Sequence, residues 1–394
     1  MTKLIYDSIH GYIEMSNLCL SVIDNPVYKR LKHIKQTGTC YDVWPGASHN
    51  RFEHSLGVGY LSEKMLKNIK YKQPELKISE RDIELVKIAG LTHDLGHGPY
   101  SHTFDNEVIP VLSKSKEIKN KTHEERSCMM LEYMCTTYNI QLNDKEISII
   151  KNMIEPQTDT MKFIYQIVNN KKCGIDVDKF DYLMRDPKMI GLNYSFDSSR
   201  LIDQARVIDG NICYPDKLRQ LIMDMFHTRY TLHRNIYNHP VVKSVEYMIR
   251  DILILADDYM FISEACDIPE RFAILNDDII NIIEYCNEHT LGQKNKNHIK
   301  AQELIKKIKM RQLYKYNGEY NSKDCEEIVS NSKSNCIVQK LKIGYNTKNE
   351  TPLLKVPLYN LKKPNEMYYS DEINQIKPSK YLEEDTYRIF KICE

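Results

Sequence analysis

Over residues 1–270 apolar positions recur at three- and four-residue steps with few Pro or Gly between them, the period of helices that bury one face. Ser79-Glu80-Arg81-Asp82 has the form of a capping box. The helix it opens, 83–91, turns apolar nearly all round, so its later turns are expected inside the protein; Gly96, Gly98 and Pro99 mark its end. The polar stretch 287–298 reads as a surface loop, and a basic helix is expected over about 299–313. From Tyr314 the pattern changes. Segments rich in Asn, Ser and Lys, such as 330–335, alternate with short strand-like runs at 337–343 and 353–358. These patterns predict a mainly α protein, with a helical core over 1–313 and a small α+β lobe over 314–394.

Composition adds little to that outline but excludes several classes. The 394 residues are 42% hydrophobic and 28% charged, ordinary for a folded chain with a sizeable core. A net charge of +1, from 55 Lys+Arg against 54 Asp+Glu, means that any anion site must be local. Eleven cysteines, none in a C-x-x-C pair, read as reduced thiols and place the protein in the cytoplasm, with nuclear entry left open. No signal-peptide run opens the chain, and no apolar stretch approaches the roughly 20 residues of a membrane span.

The chemistry concentrates around one dipeptide. His93-Asp94 closes the buried helix, where a charged Asp is costly unless it is paired or holds a metal. His54 and Asp178 are its candidate co-ligands, an imidazole and carboxylate set that suits Fe, Mn or Zn. His97, four residues after His93, is expected on the same helical face. His102, His123 and Glu124 follow, and such a group beside a metal suits attack by water and protonation of a leaving group. Arg229, His233 and Tyr237 form a stripe at i, i+4, i+8, and Asp178, Tyr182 and Asp186 repeat the step with Lys179 beside them. Cations and tyrosines next to a metal suit a polyphosphate. Each stripe alone also reads as a solvated amphipathic face carrying a Lys179–Asp186 bridge.

Long ordered stretches now become recognisable: Asp7-Ser8-Ile9-His10-Gly11, Pro45 through Tyr60, Ile88 through Pro99, Gly174 through Tyr182 and Asp224 through Arg229. The chain resembles the HD-domain deoxynucleoside triphosphate triphosphohydrolases, with the motif region at about 51–183. The likeness points to the branch whose members carry an amino-terminal SAM module, which this chain is expected to lack. The resemblance implies a helical HD catalytic core and cleavage of a dNTP to deoxynucleoside and inorganic triphosphate. His54, His93, Asp94 and Asp178 match the metal ligands, with Mg²⁺ accompanying the nucleotide phosphates. His102 matches the general acid, with Asp105 orienting it. His97 and His123 match residues at the α-phosphate, and Glu124 supports the latter. Arg51, Lys179, Tyr182 and Arg229 match triphosphate contacts, and Gln36 and Asp186 contacts to the 3′-hydroxyl. Tyr237 matches the wall that crowds a 2′-hydroxyl, with His233 in the same pocket. Thr37 stands where the family has Leu.

The resemblance also implies a homo-oligomer, dimer or tetramer, activated by GTP and dNTPs. Asp24 matches the guanine-reading residue, but Lys29 and Lys32 replace a Gln and an Arg. Arg200, Lys217, His239, Arg311 and Lys315 match a second activator site. Two other functions stay open on sequence: another HD phosphohydrolase such as a nucleotidase or nuclease, or a weakly catalytic binder of nucleotide or single-stranded nucleic acid using the basic helix.

Overall fold

The computed structural model describes residues 2–116, 121–157, 162–194, 196–287, 295–331, 336–343, 351–370 and 384–392. Helices dominate, as the periodicity predicts. The two that frame the site, Arg51–Lys72 and Glu80–Thr92, each begin at a capping box, Asn50 with Glu53 and Ser79 with Asp82. Such boxes satisfy the otherwise orphaned amides of a first turn. The pair packs closely because both carry glycine where they touch: a Cβ on Gly90 would stand 2.9 Å from the Gly59 Cα. Leu56, Val58, Leu61, Leu85, Val86, Ile88 and Leu91 are buried around that contact. Helix Val177–Ile190 lies against Arg51–Lys72, and room for it is made at Gly57, where a Cβ would fall 1.9 Å from Asp181 Oδ1.

An antiparallel hairpin, β1 (Lys3–Asp7) and β2 (Gly11–Met15), precedes the helices. β3 (Arg206–Ile208) and β4 (Asn211–Pro215) interrupt them. The strands after residue 314 divide between two sheets. β5 (Lys315–Tyr320), β6 (Cys336–Ile343) and β9 (Glu384–Lys391) form one sheet in the order β5-β9-β6. β7 (Leu358–Asn360) and β8 (Lys363–Tyr368) instead extend the β3–β4 pair, with Tyr214 paired in parallel to Leu358.

The basic helix spans Lys296–Lys309 and packs on Pro240–Met260 through Ala301 and Ile305. The expected strand at 353–358 is instead a 3₁₀ turn, Pro352–Lys355, followed by β7. Pro352 suits the first turn of a helix and Pro357 has no amide to give a ladder. Residues 288–294 and 332–335, expected as loop, lie outside the described residues. No described helix is long and apolar enough to cross a membrane, and no disulfide joins the described cysteines.

A candidate metal centre and polyphosphate cavity

One cavity of about 500 Å³ gathers residues from helices Arg51–Lys72, Val177–Ile190 and Pro240–Met260 and from the turns that follow Thr92. Gln36, Arg51, His54, His93, Asp94, His97, His102, His123, Glu124, Asp178, Lys179, Tyr182, Asp186, Arg229, His233 and Tyr237 all line it. Asp105 stands behind this wall.

At its floor, donor atoms of His54, His93 and Asp178 lie within 4.8 Å of one another. His93 Nε2 is buried with no hydrogen-bond partner, 3.3 Å from Asp94 Oδ1 and 3.6 Å from Asp178 Oδ1. His54 Nε2 lies 3.1 Å from Asp178 Oδ1 and 3.7 Å from Asp94 Oδ2. The far ring nitrogens are anchored: His93 Nδ1 on Gly90 O at 2.8 Å, and His54 Nδ1 on Asp181 Oδ2 at 2.8 Å. Anchored imidazoles that turn their other nitrogens toward carboxylates fit a divalent transition metal. Burial would lower the His54 pKa, but Asp178 and Asp181 outweigh it and push it up to about 10. Burial opposes ionisation of Asp94, yet Arg51 and the neighbouring imidazoles hold it well below the carboxylate range.

Asp181 is the hub beneath this floor. It accepts from His10 Nε2 at 2.6 Å, Arg185 Nε at 2.7 Å and Arg185 Nη2 at 3.0 Å, besides His54. Arg185 reaches on to Asp7 at 2.9 and 3.2 Å. The hairpin β1–β2 is thereby tied to the metal floor. Sequence reasoning assigned none of Asp7, His10, Asp181 and Arg185 a role, because their partners lie up to 178 positions away.

His97 is not on the same helix face as His93, as the spacing suggested. The helix ends at Thr92, and tight turns carry the chain on, with Leu95 N on Thr92 O and His97 N on Asp94 O, both 3.2 Å. Gly96, Gly98 and Pro99 cannot prolong a helix cheaply. Two buried arginines hold this turn. Arg30 donates to Leu95 O and His97 O, and Arg126 to Gly96 O.

His97 stacks on His123 with centroids 4.1 Å apart and meets His102 edge-on at 5.1 Å. Among the described residues Asp105 pairs with Arg126 and lies 2.9 Å from His97 Nδ1; it makes no ion pair with His102. His102 is solvent-exposed and His123 half-buried, but the enclosing cavity walls, then His97, lower both to about 3. His102 follows Tyr100 and Ser101, both left-handed at φ 59° and 56°. Side-chain-bearing residues adopt this conformation at a cost and need outside support. Asp277 Oδ1 takes the Tyr100 amide at 2.6 Å, Ser101 Oγ donates to Lys35 O at 2.8 Å, and Arg51 Nε donates to Ser101 Oγ at 2.7 Å.

The stripe Arg229, His233, Tyr237 is brought together by a different backbone than the spacing implied. The α-helix stops at Leu232, and His233–Tyr237 is a π turn. A second π turn, Phe104–Val108, carries Asp105. Such turns are rare and frequent at functional sites. Tyr237 Oη donates to Asp186 Oδ2 at 2.5 Å, and His49 Nε2 lies 2.8 Å from Asp186 Oδ1. The Lys179–Asp186 bridge of a solvated face does not form; Lys179 pairs with Asp176 at 2.7 Å. Gln36 Oε1 and Thr37 Oγ1 are buried without hydrogen-bond partners, and both residues line the cavity. The β5-β9-β6 sheet closes this side: Arg388 donates to Asn238 O and Gln339 Nε2 to Asn238 Oδ1 at 3.1 Å, right after Tyr237.

Asp24, Lys29, Lys32, Arg200, Lys217, Arg311 and Lys315 are exposed and His239 half-buried, all outside the cavity. Asp24 and Lys29 pair at 3.2 Å, and Arg311 donates to Asp42 O at 3.0 Å.

The HD domain family model matches residues 51–186. The chain is 42% identical to deoxynucleoside triphosphate triphosphohydrolase SAMHD1 of Bos taurus over 80% of its length, spanning 59% of that protein. It is 37% identical to the Homo sapiens protein of the same name, with 97% of this chain and 69% of the relative covered. The Dictyostelium discoideum homolog is 36% identical, with 97% and 76% covered.

Proposed function

The chain belongs to the HD-domain deoxynucleoside triphosphate triphosphohydrolases, and from that premise we propose that it converts dNTP and water to deoxynucleoside and inorganic triphosphate. The observation that carries the reading is a single cavity in which a metal-type ligand set, three clustered histidines and a cationic wall meet. His54, His93, Asp94 and Asp178 would hold a divalent transition metal, which would supply Lewis-acid chemistry there.

The chain's own groups do the rest. Arg51, Lys179, Tyr182 and Arg229 take the triphosphate through charge-assisted hydrogen bonds. His97 and His123 face the α-phosphate, with Glu124 beside His123. His102 gives a proton to the departing 5′-oxygen. It is neutral in the free protein because the enclosing cavity walls, then His97 and Arg51, lower it to about 3. The negative charge of a bound triphosphate opposes those cations, so protonation of His102 is coupled to substrate. Asp105, with Arg126, orients His97. Gln36 and Asp186 hold the 3′-hydroxyl, and Tyr237, pinned by Asp186, narrows the space at C2′, with His233 packed against it. Thr37 puts a hydroxyl in that wall, so rejection of ribonucleotides is incomplete.

Incubation with each dNTP and Mn²⁺ or Mg²⁺, with products resolved, tests the reaction. Deoxynucleoside plus triphosphate is expected; release of single phosphates, cleavage of polynucleotide or no turnover refutes it.

Regulation belongs to the same proposal. A homo-oligomer is assembled or tuned by guanine nucleotide and dNTP at Asp24, Lys29 and Lys32 and at Arg200, Lys217, His239, Arg311 and Lys315. Lys29 in place of a Gln and Lys32 in place of a planar guanidinium change that response. The basic face of Lys296–Lys309 gives weak contact with nucleic acid. Reduced cysteines accord with a cytoplasmic setting.

A further inference from the structure

The metal, phosphate and sugar residues leave part of the cavity wall unassigned. One stretch of it is formed by Asn106, Glu107, Lys243 and Glu246 beside Asn238. Lys243 and Glu246 sit on helix Pro240–Met260, which starts three residues after Tyr237. Glu107 comes from the π turn Phe104–Val108. Lys243 Nζ contacts Glu107 Oε1 at 3.3 Å and also pairs with Glu246. Glu246 Oε1 is occupied by Thr103 Oγ1 at 3.1 Å. The other Glu107 oxygen has no hydrogen-bond partner among the described residues, and its side chain is 24% exposed against 9% for Lys243. The trio carries one positive and two negative charges. Its ammonium is braced from behind, and its most accessible group is a carboxylate that faces the cavity.

Resting on the dNTP reading above, we propose that Glu107 and Lys243 read the edge of the base and make guanine the preferred one. The sugar wall at Tyr237 is followed directly by Asn238 and the start of the helix that bears Lys243, so a base beyond the sugar lies along this wall. Guanine presents N1–H and the N2 amine side by side, a donor pair that one carboxylate accepts together, with O6 next to them for an ammonium. Adenine lacks the N1–H. Thymine flanks its N–H with two carbonyls, one of which would face a carboxylate oxygen. Cytosine offers one amine beside two acceptors.

A competition assay separates this from the reading beneath it. Equimolar dGTP, dATP, dCTP and dTTP, with 2′-deoxyinosine triphosphate as a fifth substrate, are incubated in one vessel. Any activating nucleotide then acts on all five reactions alike, and the released nucleosides report relative kcat/KM. Deoxyguanosine is expected to lead, with deoxyinosine, which lacks the N2 amine, released about tenfold more slowly, the factor of one charge-assisted hydrogen bond. In Glu107→Gln the volume is kept and the paired acceptor lost, so the dGTP-to-dTTP ratio falls about tenfold and the dGTP-to-deoxyinosine contrast closes. Equal release in the wild type overturns the base assignment alone, as does an unchanged ratio in the folded variant. The wild-type deoxyinosine contrast decides the matter if the variant does not fold. No release from any substrate overturns both readings.

Discussion

Asp181→Asn is the sharpest probe of how this site is held. Asp181 is completely buried and takes four donors on two oxygens: His10, His54 and two Arg185 nitrogens. An amide of the same shape has one acceptor oxygen. Whichever way it turns, its NH₂ confronts an Arg185 N–H, either Nε on the Oδ2 side or Nη2 on the Oδ1 side. Arg185, 1% exposed, is then left with Asp7 as its sole countercharge. Breaking a buried charge pair costs about 3–5 kcal/mol. For one cooperative unit of this size, at roughly 2 cal/mol/K per residue, that lowers Tm by about 4–6 °C. His54 also loses the carboxylate that fixes its ring, so Mn²⁺ affinity should fall about 10- to 100-fold. Scanning calorimetry of the metal-free protein and titration calorimetry with Mn²⁺ measure the two effects. A Tm within about 1 °C of wild type, together with unchanged Mn²⁺ affinity, would show that the hub neither supports the fold nor orients the ligand.

Two further outcomes follow from the same geometry. His102→Ala should reduce kcat by about 10²–10⁴-fold while Mn²⁺ binding is retained; an active variant would remove His102 from the proton transfer. Burial first raises Asp277 to about 6, so its ionised form is disfavoured in the folded protein. Its contribution to stability is complete below the unfolded carboxylate value and is lost as pH rises through about 6. The Tm deficit of Asp277→Asn relative to wild type should therefore be larger at pH 4.5 than at pH 7.5, and a deficit independent of pH would contradict the assignment.

The proposed ligand set could be named because its members sit in long stretches whose residue types match a known pattern. His54, His93, Asp94 and Asp178 could be named without knowing how the chain turns. What the sequence concealed is the support. Asp7 finds Arg185 and His10 finds Asp181 only once two helices pack through Gly57, and no local periodicity encodes a contact of that range. Spacing grouped Arg229, His233 and Tyr237, which do line one cavity, but implied a continuous α-helix, whereas Tyr237 is carried by a π turn. The same limit applied to His97, reached by turns and held by Arg30 and Arg126, and to β7, whose partner β4 lies more than 140 residues earlier.

The clasp of Arg388 and Gln339 on Asn238 sets an order of completion during synthesis. Every proposed metal ligand has been translated by residue 178, yet the backbone beside Tyr237 is secured by a residue 210 positions later. A chain still on the ribosome, or cut short before β9, would own a finished metal floor beneath an unfastened pocket. Such a chain could sequester metal before it could discriminate among nucleotides. On the proposed reading, late emergence of the clasp postpones discrimination among nucleotides until β9 has joined its sheet.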